Sequence, residues 1–142
     1  MRQIMVATDG SNDADRAVDF AAELAKAVDG GLLIVHIGDG VSDKDLAQLA
    51  RAEKDIGDAL ESRAQQILRN ARERAQRVGA PRIHLHSGWG DAAEAIIEAA
   101  QRERADVVVV GRRGRGRLAG LLLGSVSQKL VSLAPCVVIV VP

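Results

Sequence analysis

Gly111, Arg112, Arg113 and Gly114, then nine residues, then Gly124 and Ser125, form the group in this chain best equipped for chemistry. Glycine has no Cβ, so backbone N–H groups in such a stretch can close around an anion. Four arginines lie inside it: Arg112, Arg113, Arg115 and Arg117, the last two flanking Gly116. Asp106 to Val110 precedes it and reads as a buried strand. Val126 to Leu133 follows and reads as a helix, whose first free N–H groups and positive dipole end would point at the same place. A strand, a glycine loop rich in arginine and a helix N-terminus together describe a phosphate site, best suited to a nucleotide.

The rest of the chain must position that loop. Gln3 to Thr8 is an apolar run closed by Asp9-Gly10-Ser11, a strand and then a turn. Ser11 or Asn12 can cap a helix carrying Ala14, Ala17, Val18, Ala21, Leu24, Ala25 and Val28 at helical spacing. Gly30-Gly31 stops it, and Leu32 to Ile37 reads as a second strand. Asp43 to Val78 reads as a long helical segment that Gly57 can interrupt, and Gly79-Ala80-Pro81 ends it. Arg82 to His86 is a third strand. Asp91 with Glu94 three residues on makes a capping pair for a helix over Ala92 to Arg104. Cys136 to Val141 is the last strand. The β-α alternation and the continuous Val/Ile runs predict one α/β domain over 1–142, a five-stranded parallel sheet with helices on both faces. Ligands of such sheets bind beyond the carboxyl ends of the strands, where strand order reverses. The strand ends at Thr8-Asp9, Ile37-Gly38 and Val110-Gly111 are therefore expected on one edge.

Composition narrows the function classes. The chain has 142 residues, 47% of them hydrophobic, with 19 basic and 19 acidic side chains and no formal net charge. A bulk field for polyanions is absent. Six arginines against Glu103 and Asp106 make the stretch 102–117 locally basic, yet no aromatic side chains are interleaved there for base stacking, which argues against nucleic acid. The single cysteine, Cys136, excludes an internal disulfide and fits a reducing compartment. No apolar run approaches about 18 residues and no signal-peptide pattern opens the chain, so a cytoplasmic location and no membrane span are expected.

Other patterns fail on their own terms. Gly114-x-Gly116-x-x-Ala119 fits a dinucleotide fingerprint but follows the fourth strand, without the acidic residue about 20 positions on. Gly111 and Gly116 have P-loop spacing, but Arg117-Leu118 replaces Lys-Ser/Thr. His84 and His86 share a strand face with no third metal ligand placed by the sequence. His36 reads as a packed strand residue and Phe20 as core. Trp89, between two glycines, either covers the rim of the site or packs on a neighbour. If the uncharged strand 136–141 lies at a sheet edge, its unpaired backbone groups call for a partner, and a second copy in a two-fold dimer would supply one; a covering helix is the alternative.

These residues resemble the universal stress protein family in its nucleotide-binding branch. The family pattern of glycine, two residues, glycine, nine residues, glycine, then serine or threonine is met by Gly111, Gly114, Gly124 and Ser125. Ile4 to Ser11 is similar to the family's first strand and acidic turn, Leu33 to Ile37 to its second strand, Gly90 to Ile96 to the start of its third helix, and Pro135 to Val140 to its closing strand. The resemblance implies a Rossmann-like fold related to adenine nucleotide alpha hydrolases. It implies that Ala7, Thr8 and Ile37 lie near an adenine, bordered by Val110. Asp9 would approach the ribose, or a Mg²⁺ held by the phosphates. Gly111, Arg112, Arg113, Gly114, Arg115, Gly116 and Arg117 would wrap the phosphates. Gly124, Ser125, Val126 and Ser127 would meet them from the helix. It further implies ATP as ligand, a homodimer through strand 136–141, a regulatory role, and at most slow ATP hydrolysis or self-phosphorylation with no evident catalytic residue. The four loop arginines depart from the expected mixed loop and leave the choice among ATP, ADP and other phosphorylated ligands open. A nucleotide-free dimeric module that docks an acidic partner on the basic loop 112–117 is the competing function.

Overall fold

The computed structural model describes residues 1–38, 54–113 and 123–142, with side chains from residue 60 onward in the second stretch. Within these residues the chain runs β1 (Gln3–Ala7), α1 (Asn12–Val28), β2 (Gly31–Gly38), α2 (Lys54–Val78), β3 (Arg82–Trp89), α3 (Ala92–Arg102), β4 (Val107–Gly111), α4 (Ser125–Leu133) and β5 (Val137–Val141). The strands form one parallel sheet in the order β3-β2-β1-β4-β5. The α/β architecture is thus the one expected. The chain winds outward from β1 through β2 to β3, then crosses back to β4 and β5, so strand order reverses between β1 and β4.

Strand alternation separates two apolar layers. Ile4, Val6, Leu32, Ile34, Val107 and Val109 face Ala17, Val18, Ala21 and Ala25 of α1 and Leu68, Ala71 and Ala75 of α2. Met5, Leu33, Val35, Val108 and Val110 face Ile96, Ala99 and Ala100 of α3 and Leu130 of α4. Small alanines let the helices sit close to the β-branched sheet surface, which is how a core with almost no aromatic content fills its space. Arg74 of α2 joins α1 with a bidentate pair to Asp19, Nε at 3.0 Å and Nη2 at 2.7 Å. That contact raises the guanidinium pKa further.

Several boundaries and side chains differ from the sequence expectation. β3 continues to Trp89, because Ser87, Gly88 and Trp89 pair in register with His36, Ile37 and Gly38. Pairing to a long neighbour outweighs the turn preference of Ser87-Gly88. β5 starts at Val137, with Cys136 before it. Gly57 lies within α2. The predicted helical stretch 43–53 falls outside the described residues. Phe20 is 41% exposed, because the buried stripe of α1 runs through Asp13, Ala14, Ala17, Val18, Ala21, Ala22 and Ala25 and leaves residue 20 on the solvent side. β5 is an edge strand, and Val137 at its start is 60% exposed.

Candidate functional site

All five strands are parallel, so their carboxyl ends share one edge of the sheet. Ala7 at the end of β1 with Thr8-Asp9 after it, Ile37 and Gly38 of β2, and Val110 and Gly111 of β4 therefore share that edge, as expected for these strand ends. Strand order reverses between β1 and β4 at this edge, the place where sheets of this kind take their ligands. Trp89 belongs to the same edge. Its ring lies on Gly38, where an added Cβ would stand 2.4 Å from two ring carbons. Trp89 thus packs on a neighbour at the edge where the candidate site lies.

The turn after β1 is held by its own side chains. Thr8 N–H still donates to Val35 O at 2.9 Å, but the paired register of β1 ends at Ala7. The Thr8 carbonyl is taken instead by the buried His36, whose Nδ1 lies 2.9 Å from it. A carbonyl accepts only, so Nδ1 carries the proton in this contact. Thr8 Oγ1 accepts from Gly10 N at 3.1 Å, Asp9 Oδ1 accepts from Ser11 N at 2.9 Å, and Ser11 Oγ caps α1 at Ala14 N, 3.2 Å away. Gly10 has φ 80°, a left-handed conformation that suits glycine. Asp9 Oδ1 thus helps to hold the turn. The sequence places His36 as a packed strand residue, and the structure adds its hydrogen bond to the Thr8 carbonyl.

The start of the glycine loop is gripped from three sides. Gly111 packs against the backbone of α1 so closely that a Cβ would fall 2.8 Å from the Asp13 carbonyl carbon. Arg112 N–H donates to Val141 O of β5 at 2.8 Å. Gly124 N–H donates to Arg112 O at 2.8 Å, which ties the far end of the loop to its beginning. Ser127 is 2% exposed, and the single proton of its Oγ is shared between Gly111 O at 2.7 Å and Arg112 O at 3.0 Å. The Ser127 hydroxyl thus braces the loop's own carbonyls. Gly124, as N-cap of α4, has no side chain to cap the helix, whereas Ser11 and Asp91 cap α1 and α3. Ser125 and Val126 open that helix. Gly114, Arg115, Gly116 and Arg117 lie outside the described residues.

Two features were not anticipated. Asp13 is a carboxylate only 2% exposed. Arg16 Nη2 donates to its Oδ1, and the backbone N–H of Arg113 donates to its Oδ2 at 3.3 Å. From sequence it reads only as one of two acids in the first turn of a helix. Second, among the described residues the buried side-chain nitrogens without a hydrogen-bond partner are Arg112 Nε and Arg113 Nε. Buried N–H groups are almost always satisfied. Both orphans sit on the loop, and an acceptor-rich anion is the chemistry that would complete them. No group of three or more His, Cys, Asp or Glu side chains among the described residues is arranged to hold a metal ion. His84 is exposed and His86 half-buried.

A doubly wound α/β domain with a glycine loop at its switch point belongs to a broad class of ligand-binding folds. The universal stress protein family profile matches residues 1–142, and the chain belongs to that family. A universal stress protein of Thermus aquaticus is 38% identical over 140 residues, spanning 99% of this chain and 98% of its own. A universal stress protein solved in complex with cAMP is 31% identical, with a TM-score of 0.73, covering 99% of this chain and 95% of its own. The universal stress protein UspA from Lactobacillus plantarum shares the fold at a TM-score of 0.87 and 24% identity, covering 99% of this chain and 97% of its own. Among the described residues no helix is long and apolar enough to cross a membrane.

Proposed function

We propose that this chain is an adenine-nucleotide-binding stress protein that acts as a cytoplasmic, nucleotide-dependent regulator, with ATP and an accompanying Mg²⁺ as its ligand. The observation that carries the reading is the pair of buried, unpartnered guanidinium nitrogens of Arg112 and Arg113 on a glycine loop at the switch point. The relative at 31% identity that was solved with cAMP supports an adenine nucleotide. In this reading Ala7, Thr8, Ile37 and Val110 border the base. Asp9 faces the ribose or the Mg²⁺ of the nucleotide. The loop from Gly111 to Arg117 and the helix start at Gly124 to Ser127 hold the phosphates. Bound Mg²⁺ would neutralise phosphate charge. Asp9 is the one side chain we name for orienting a hydrolytic water, so hydrolysis, if present, is slow. Phosphate release that is unchanged in Asp9→Ala removes that assignment.

The edge position and exposure of β5 support a homodimer through strand 136–141, since a second copy would pair its open backbone groups. The test is direct. The purified protein is denatured, released small molecules are resolved by ion exchange, and Mg-ATP and cAMP are titrated calorimetrically into the stripped protein. The nucleotide reading expects adenine nucleotide in the released fraction or saturable heat, and loss of both in Gly114→Val. No released nucleotide, no heat and no thermal shift with either ligand would return the chain to an interaction module whose basic loop docks an acidic partner. Tighter binding of cAMP than of Mg-ATP would reassign the ligand while keeping the site.

A further inference from the structure

We propose that Asp13 is the positioning residue of the glycine loop: its buried carboxylate sets the direction in which Arg112 and Arg113 leave β4. Its functional consequence rests on the nucleotide reading above. Removing a carboxylate from water is costly, and the cost is recovered only by close charged and hydrogen-bonding partners. Two of the partners of Asp13 lie among the described residues. Arg16, one turn along α1, holds Oδ1. The backbone N–H of Arg113 reaches Oδ2 at 3.3 Å. Arg16 is itself anchored, since its Nε donates to Pro142 O at 2.9 Å just beyond β5. The neighbouring Arg112 N–H donates to Val141 O at 2.8 Å. The first residues of the loop are therefore tied to α1 through Asp13 and to β5 through the main chain, and Arg16 joins those two anchors.

Gly111 completes the arrangement. Its bare Cα lets the loop root sit close to the Asp13 backbone, since a Cβ would fall 2.8 Å from the Asp13 carbonyl carbon. That contact brings the carboxylate within reach of the Arg113 amide. It also decides what Arg113 can offer a ligand. Its backbone N–H is committed to Asp13, so the contact left for a phosphate is the guanidinium whose Nε has no protein partner. Asp13 touches no ligand in this scheme. It acts through the orientation of the two arginines.

The test compares Asp13→Ala and Asp13→Asn in the full chain. Readouts are amide hydrogen exchange at Arg113 by NMR and affinity for Mg-ATP and for cAMP. Asn keeps a carbonyl acceptor for the Arg113 N–H, whereas Ala removes it. Asp13→Ala is expected to speed Arg113 exchange and to weaken the nucleotide, each by about tenfold, the size of one lost buried hydrogen bond. Asp13→Asn is expected to hold both within about threefold of the parent. Arg113 exchange that does not change in Asp13→Ala overturns the proposal. So does nucleotide binding that tightens equally in both variants, which would make Asp13 a repelling charge and not a positioning group. Should Asp13→Ala not fold, the parent protein decides: an Arg113 amide protected at least about tenfold over an unstructured chain upholds the contact, and an unprotected one overturns it. If neither nucleotide binds the parent but Arg113 exchange responds as expected, the positioning role stands and the nucleotide reading alone fails.

Discussion

Two aspartates fasten the two ends of β4, and they do so under opposite conditions. Asp106, just before the strand, accepts the Arg2 and Gln3 N–H groups at 2.7 and 2.9 Å while standing in water. Asp13, against the far end, accepts the Arg113 N–H while almost wholly buried. The Asp106 solution shows that an exposed carboxylate is enough to tie adjoining backbones together. Burying a charge at the other end adds a desolvation cost of several kcal/mol that a purely structural tie does not require. The protein accepts that cost where the loop with two unpartnered guanidinium nitrogens begins. On the positioning proposal, one end of the sheet is built for stability, and the other is built to orient Arg112 and Arg113.

A substitution that belongs to neither end sets the scale. Ile34 in mid-β2 is fully buried, and Ile34→Ala is expected to lower unfolding free energy by about 2–5 kcal/mol in urea titration. Nucleotide affinity of the folded fraction should not change. If it falls as well, the site is sensitive to the core in general, and the contrast between the two ends loses its meaning. Gly111→Ala comes next, at about 1–3 kcal/mol, because the new methyl meets backbone that cannot swing away. Unlike Ile34→Ala, it should also weaken nucleotide, since the loop root must shift off α1.

His36 extends the comparison to the end of β1. Leucine at this position leaves the Thr8 carbonyl without its partner, for a loss of about 1–3 kcal/mol and a looser Asp9-Gly10-Ser11 turn. Asparagine places an amide N–H near the former Nδ1 and should restore most of both. Hydrogen exchange at Gly10 and Ser11, whose amides are held by Thr8 and Asp9, reads the turn directly. Equal exchange in the leucine and asparagine variants would show that His36 only fills space.

The same contrast explains what the sequence discloses. Val/Ile/Leu runs separated by helix-period alanines specify a parallel sheet, and the faces of Ile4, Met5, Val6 and Ala7 alternate as a strand requires. The glycine spacing marks the loop before any coordinate is known. Contacts between distant residues leave no such trace. Asp13 and Arg113 are 100 positions apart, and an acid in a helix's first turn looks the same whether it is solvated or buried. His36 in an apolar run looks like any packed residue until Thr8 is seen to leave the ladder beside it. Phe20 has the residue type of a core position, but the alanine stripe of α1 sets the buried face and leaves it outside.

Acid provides the mildest probe of the exposed end. The N–H groups of Gln3 and Arg2 hold the Asp106 carboxyl below the usual carboxylate range, and the Glu94 N–H does the same for Asp91 at the cap of α3. A carboxyl whose pKa is depressed by folding contributes stability above its unfolded pKa of about 3.9, and loses it as pH falls through the lower folded value. Stability of the parent should therefore be level in these groups above about pH 5 and decline below about pH 4. Asp106→Asn removes one of the titrating groups but keeps an acceptor. It should lose a little stability near neutral pH and show a shallower acid decline, by less than one bound proton in the slope. Urea midpoints measured between pH 3 and pH 7 in parent and variant give that difference. Identical slopes would mean that Asp106 does not feel its two N–H partners in solution. The amino end would then be tied by the ladder alone, and the exposed half of the comparison with Asp13 would fall away.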